Sequence, residues 1–333
     1  MIAALSVATK HGILIKNSKF IEELTEVDAV VFDKTGTLTV GDLSLTEMHP
    51  YGDCDRERLL AAAASLACAS THPVSRAVCV AAQSLLYDRD IAVKEVSGKG
   101  MEGTTADGAH VIRFGNRDWM LSCGVEIPAD FAADLSGSVS MVAMDDQLLG
   151  ALGFNDTVRP DAASGIAMLR ELGIEQTVML TGDRERAARA ICDEVGVDVL
   201  HAQLLPQDKM DHLCALKEEY QVLAVGDGIN DALALREADV GIAMGAMGSD
   251  LAIQSADIAL MNNNLHNIPF VVRLARRTRA IVYQNLGLSM AISVLMITLS
   301  AFGVISALAG SILHNCGAFA VLLNSSRILK IKD

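Results

Sequence analysis

Short apolar runs that end on a polar or acidic residue recur along the chain: DAVVFD at 28–33, TVMLTGD at 177–183, VLAVGD at 222–227, DVGIAM at 239–244 and DIALM at 257–261. Runs of this length bounded by turn residues read as strands buried on both faces. Between them lie segments with helical spacing, such as 160–172, which Pro160 opens and Gly173 closes, the ends where those residues are favoured. The alternation predicts an α/β fold built on a doubly wound parallel sheet. Chemistry in such sheets gathers at the carboxyl ends of the strands, where Asp33, Thr181 and Asp227 stand. Residues 44–151 break the alternation with an Ala-rich helix at 57–69, glycine turns at 97–103 and short strands, and they read as an inserted α+β domain.

A third pattern closes the chain. Residues 280–326 contain no Asp, Glu, Lys or Arg, enough length for two spans of about 20 residues and a turn. Gly303 and Gly310 bracket the expected turn. Arg273, Arg276, Arg277 and Arg279 precede the run, and Arg327, Lys330 and Lys332 follow it. Basic residues at both ends fit a two-helix membrane hairpin whose termini are cytoplasmic. Residues 1–20 pass from small apolar residues to a basic stretch, as the end of a membrane helix would. The expected organisation is a helix end and stalk at 1–27, a sheet domain at 28–43 and 152–262, the insertion at 44–151, and a stalk with two spans at 263–333.

Composition narrows the function. The 333 residues carry a formal charge of −14, which leaves no extended basic surface and excludes nucleic acid as a partner. None of the seven cysteines forms a C-x-x-C pair, so they read as scattered reduced thiols of a cytosolic environment.

Two strings carry chemistry. In DKTGTLT at 33–39, a strand delivers Asp33 to its tip and a Lys34-Thr35-Gly36-Thr37 turn follows. A carboxylate there can act as a nucleophile toward phosphorus, with turn N–H groups binding phosphoryl oxygens. In GDGIND at 226–231, Asp227 and Asp231 flank a glycine turn. Hard oxygen donors suit Mg²⁺, which takes one or two carboxylates and keeps several waters. Asp33, Thr35 and Asp227 are the expected Mg²⁺ ligands. Thr181, followed by Gly182 and Asp183, offers a hydroxyl, and Lys209 in LLPQDK offers a point charge. Positioning and charge neutralisation of this kind suffice for phosphoryl transfer.

In these motifs the chain resembles the heavy-metal-transporting branch of the P-type ATPases, within the haloacid-dehalogenase-like superfamily. DKTGTLT, TGD at 181–183 and GDGIND match that family's phosphorylation motifs in order, and STHP at 70–73, GKGMEG at 98–103 and GN at 115–116 match its nucleotide-binding segment. The resemblance implies that His72, Gly98, Gly100, Gly115 and Asn116 surround ATP. It also implies that Asp33 is phosphorylated, with Lys34, Thr35, Lys209, Asn230 and Asp231 ordering the site. Ala67 stands where the family often has a nucleotide-contacting Glu, and Thr71 replaces the usual Glu before the His. No T-G-E and no Cys-Pro pair occurs, so the expected role is the catalytic C-terminal part of a pump, with the actuator domain supplied by a further half. The expected location is the cytoplasmic membrane of a prokaryote, catalytic domains facing the cytoplasm. The rival reading is a phosphatase of the same superfamily. Such enzymes place an acid/base Asp two residues after the nucleophile, where this chain has Thr35, which cannot act as a base near pH 7. A non-catalytic subunit is the third reading. A divalent transition metal such as zinc, cadmium or cobalt is the expected cargo, and His314, inside an apolar span, is a candidate ligand.

Overall fold

In a computed structural model, residues 1–105, 107–135, 137–228, 231–245 and 250–331 are described. The chain opens with α1 (Ile2–Lys10), β1 (Ile13–Ile15), α2 (Lys19–Glu23) and β2 (Ala29–Asp33). There follow β3 (Thr39–Pro50), α3 (Arg56–Ala67), α4 (Pro73–Ala81), β4 (Ala92–Val96), β5 (Gly100–Thr104), β6 (Val111–Gly115), α5 (Arg117–Ser122), β7 (Ser138–Met144) and β8 (Gln147–Val158). Next come α6 (Ala162–Glu171), β9 (Gln176–Leu180), α7 (Glu185–Val195), β10 (Val199–His201), α8 (Pro206–Lys217) and β11 (Val222–Gly226). The chain ends with α9 (Ala232–Glu237), β12 (Val240–Ala243), α10 (Asp250–Ser255), β13 (Ile258–Leu260), α11 (Asn267–Ala301) and α12 (Ala307–Ser326). These elements form two compact units: Met1–Leu38 with Pro160–Gly182 and Cys192–Asp333, and Thr39–Arg159 with Asp183–Ile191.

The first unit holds the predicted sheet. Its strand order is β1-β13-β12-β11-β2-β9-β10, parallel throughout except for β1, which pairs antiparallel with β13. The runs are apolar because both faces are covered: Ala29, Val31, Val178, Val222 and Ala224 join one core with Leu213 and Leu235 from the flanking helices. Each fully buried side chain of the Val or Leu type contributes about 1.5–3 kcal/mol. The only described buried polar residue within these strands, Thr177, bonds to Asp198: its N–H and hydroxyl donate to Oδ2 at 2.9 and 2.6 Å, and Arg170 adds an ion pair to Oδ1. That knot ties β9, β10 and α6 together.

The second unit is a six-stranded antiparallel sheet in the order β3-β8-β7-β6-β5-β4, packed against α3 and α4 through Leu59, Leu66, Val78, Phe114 and Phe154. Its limits, 39 and 159, lie outside the expected 44 and 151. The reason is pairing: β3 and β8 run together from Thr39↔Val158 to Pro50↔Gly150, so they belong wholly to this sheet. The expectation of reduced thiols is corrected for one pair. Packing of α3 against α4 sets the Cα atoms of Cys68 and Cys79 5.6 Å apart, and the two form a disulfide, within the usual Cα range for such a bond. Cys54, Cys123, Cys192, Cys214 and Cys316 are outside any disulfide.

Helix α11 is 35 residues long and buries its side chains on the first unit up to Ile281. Beyond that point it and α12 expose large apolar residues, among them Leu295, Ile297, Leu308 and Phe319. Both helices are long and apolar enough to cross a membrane. The turn differs from expectation. Gly303 lies in it with φ +68°, but Gly310 is inside α12, because the Ser306 hydroxyl accepts from the Ala309 N–H and starts the helix earlier. At the other end of the pair, Asn285 donates to the Ser325 hydroxyl at 2.8 Å, and Asn324 donates to Asn285 Oδ1 at 2.9 Å.

Candidate active site

Parallel pairing brings separated motifs to one sheet end. Asp33 is opposite Leu180 on β9, which sets Thr181 beside it, and Phe32 pairs with Val225 on β11, which carries the chain to Asp227. Gly36 turns the chain after Lys34 and Thr35 with φ +76°, a left-handed conformation that costs an L side chain about 1–2 kcal/mol. A Cβ there would lie 3.5 Å from the Asp227 Cβ, so this turn and Asp227 are in contact. Thr181 is buried, while Gly182 and Asp183 continue into the loop before α7. Asn230 lies outside the described residues.

Lys209, on the first turn of α8, completes the cluster. Its Nζ donates to Asp33 Oδ1 at 2.6 Å and to Asp231 Oδ1 at 2.9 Å. Burial alone would lower the lysine, yet Asp33 and Asp231 hold it above its ordinary value. Burial first, and then the Asp231 charge, push the Asp33 carboxyl up to about 7; Asp227 adds to the rise and Lys209 opposes it. Asp231 Oδ2 is buried and finds no hydrogen-bond partner among the described residues. Two carboxylates thus share one ammonium, and the Asp227 charge bears on Asp33 beside them. The donors are hard oxygens, so the cluster fits a divalent cation such as Mg²⁺. Among the described residues, no group of three or more His, Cys, Asp or Glu side chains could hold an ion by itself. His314, exposed on α12, therefore has no such group around it among the described residues.

The second unit holds a cavity of about 490 Å³. It brings together His72, Gly98, Gly100, Gly115 and Asn116, all five residues expected around nucleotide. His72 caps α4, its Nδ1 accepting from the Val74 N–H at 3.3 Å. Asn116 caps α5, accepting from the Trp119 N–H at 2.9 Å and donating to the Gly98 carbonyl at 3.1 Å. Gly100 and Gly115 pair across β5 and β6, and a Cβ on either would strike Trp119, at 2.7 and 2.6 Å. Their smallness serves sheet packing as well as access. Sequence reasoning missed Ser75, which lines the cavity, is fully buried and has a hydroxyl with no partner among the described residues. It missed Lys99 and Ser140 on the same wall, although Lys99 sits inside GKGMEG and was legible there.

Residues 27–239 match the haloacid dehalogenase-like hydrolase family. The chain is 36% identical over 335 residues to a cadmium, zinc and cobalt-transporting ATPase of Bacillus subtilis (strain 168), covering 99% of this chain and 47% of that one. It superposes on a zinc-transporting PIB-type ATPase in the E2.Pi state with TM-score 0.85 and 32% identity, covering 98% of this chain and 54% of that one. A CPx-ATPase catalytic domain, described for its conformational changes upon nucleotide binding, matches with TM-score 0.62 and 28% identity, over 79% of this chain and 96% of that one. The chain spans about half the length of the curated relatives it matches. On these grounds the chain belongs to the haloacid dehalogenase-like hydrolases, and its relatives within that family are heavy-metal-transporting P-type ATPases.

Proposed function

We propose that this chain is the phosphorylating part of an ATP-driven pump for a divalent transition metal. The observation that carries the reading is the half-buried Asp33 carboxylate, bonded to Lys209 and crowded by Asp231 and Asp227. ATP is held in the cavity lined by His72, Gly98, Gly100, Gly115 and Asn116. Asp33 attacks the γ-phosphorus in line, the bond to the β–γ bridging oxygen breaks, and ADP leaves. Lys209 opposes protonation of Asp33 and offsets charge on the transferred group, while Thr181 and the N–H groups of the Lys34–Thr37 turn orient phosphoryl oxygens. Gly182 leaves room for the Leu204 carbonyl, 3.2 Å from where a Cβ would stand, and Asp183 follows it before α7. Asp231 positions Lys209, and Asn230, its neighbour in sequence, is expected to order the same site. Asp33, Thr35 and Asp227 would hold Mg²⁺, which would neutralise phosphate charge.

The relatives' names supply the cargo class, with cadmium, zinc and cobalt printed for the first. The length and apolar character of α11 and α12 support a place in a membrane, which we infer to be the cytoplasmic membrane of a prokaryote, and His314 offers one imidazole to the ion. The test uses γ-labelled ATP, Mg²⁺ and an acid quench, with wild type beside Asp33→Asn. Stable label, released by hydroxylamine and absent in the variant, is the expected result. Rapid release of inorganic phosphate without trapped label would point to a phosphatase instead. No label from folded, ATP-bound protein would overturn the reading.

A further inference from the structure

The Cys68–Cys79 bridge brackets the wall of the cavity. Between the two cysteines lie Ser70, Thr71, His72, Val74 and Ser75, all of which line it. Cys68 is exposed just past α3, and Cys79 is half-buried on α4. Within the loop the order is local: the His72 N–H donates to the Ser70 hydroxyl at 3.2 Å, and the Val74 N–H to His72 Nδ1. Ser75 brings its buried hydroxyl, without a partner among the described residues, to the cavity from the same segment. Nothing local fixes the end of α3 to the second turn of α4 as a covalent link does.

We propose that Cys68 and Cys79 are a reversible thiol–disulfide switch whose closed form holds His72 and Ser75 in place for ATP. This rests on reading the cavity as the nucleotide site. A closed bridge removes alternative positions of the 68–79 segment before ligand arrives, so less ordering remains to be done on binding. Exposure makes the bridge accessible to exchange, the property of regulatory rather than structural disulfides in a reducing compartment. Closure needs a low-molecular-weight disulfide as oxidant. The Cys68 thiolate attacks it, forming a mixed disulfide and releasing one thiol. The Cys79 thiolate then attacks the Cys68 sulfur and releases the second thiol. Two protein thiols are oxidised, one small disulfide is reduced to two thiols, and two protons pass to solvent and the released thiolates. A small dithiol reverses the reaction.

The test measures ATP binding by calorimetry on the full chain in detergent micelles without Mg²⁺, after equilibration with glutathione disulfide or dithiothreitol. Alkylation and mass spectrometry count the closed bridges. The expected result is about three- to tenfold tighter binding with the bridge closed, and redox-independent, weaker binding for Cys68→Ser and for Cys79→Ser. The two variants also separate this pair from the other thiols. Equal or tighter binding by the reduced chain overturns the switch, as does a redox effect that survives in both variants. If the variants do not fold, the wild-type comparison decides alone. Failure to bind ATP in either state overturns the nucleotide reading itself.

Discussion

At the scale of the residue, the two cavities of chemistry are built from groups left short of partners. Lys209 shares one ammonium between Asp33 and Asp231, and Ser75 holds a buried hydroxyl with none among the described residues. A buried hydroxyl without a partner is destabilising by about 1–3 kcal/mol, so Ser75→Ala leaves stability unchanged or raised. The same substitution weakens ATP binding about fivefold, roughly one hydrogen bond. Calorimetric titration beside a melting curve separates the two effects, and a lower melting temperature with unchanged affinity would refute the assignment. Asp33, Thr181 and Asp227 were legible in the sequence because strand ends mark where a parallel sheet gathers side chains. The Asp231–Lys209 contact was not: those residues are 22 apart on different helical segments, and no local pattern encodes it. Ser75 was hidden for the opposite reason, since a serine in a helix signals nothing until its burial is known.

At the scale of the element, the glycines at β5 and β6 show where sequence meaning divides. A glycine string announces close approach, but not whether ligand or protein fills the space. Gly98, with φ +70° and nothing within 4 Å of an added Cβ, is a turn glycine; Gly100 and Gly115 make room for Trp119. Gly100→Ala is therefore expected to destabilise the second unit by about 3 kcal/mol, and Gly98→Ala by about 1 kcal/mol. Trp119 is the single tryptophan, so its fluorescence during urea unfolding reports both. The Asp198 knot adds a pH dependence to the other sheet. Burial works against this carboxylate, yet the Thr177 bonds and Arg170 hold it below its ordinary 3.8. Its stabilisation is thus present above that value and is lost as pH falls through the lower folded one. Asp198→Asn is expected to cost about 1 kcal/mol near neutrality, discounted for its partial exposure. Hydrogen exchange at β9 and β10 should show wild type and variant converging in acid. The strands themselves were readable to within a few residues; the limits of the insertion were not, because β3 is a half-polar ribbon and β8 carries its pairing past its apolar run into the polar residues 155–157.

At the scale of the whole molecule, the charge-free run was the clearest signal, and it is where α11 and α12 leave the soluble surface. Length and charge exclusion identify a span, but they do not locate a turn, which Ser306 sets by capping α12. The two helices meet at Asn285, Asn324 and Ser325. Polar bonds of this kind within a membrane are worth about 0.6–2 kcal/mol each. Replacing Asn285 and Asn324 together by Ala should open the hairpin, seen as faster labelling of an introduced cysteine at position 288 and a lower melting temperature in detergent. Unchanged labelling would show that van der Waals packing alone holds the pair.

Helix α11 has a mechanical consequence. Its base is clamped to the sheet unit: the Leu265 N–H just before it donates to Asp161 Oδ2 at 2.6 Å, and Arg276 donates to the carbonyls of Leu172 and Val27. Residues 282–301 continue from that clamp as one helix, an arm of about 30 Å. A rod welded at one end converts rotation into displacement: tilting the base by about 5° swings the far tip by roughly 3 Å over that length. A small rotation of the sheet unit around Asp33 would therefore reach the far end of α11 as a displacement of that size.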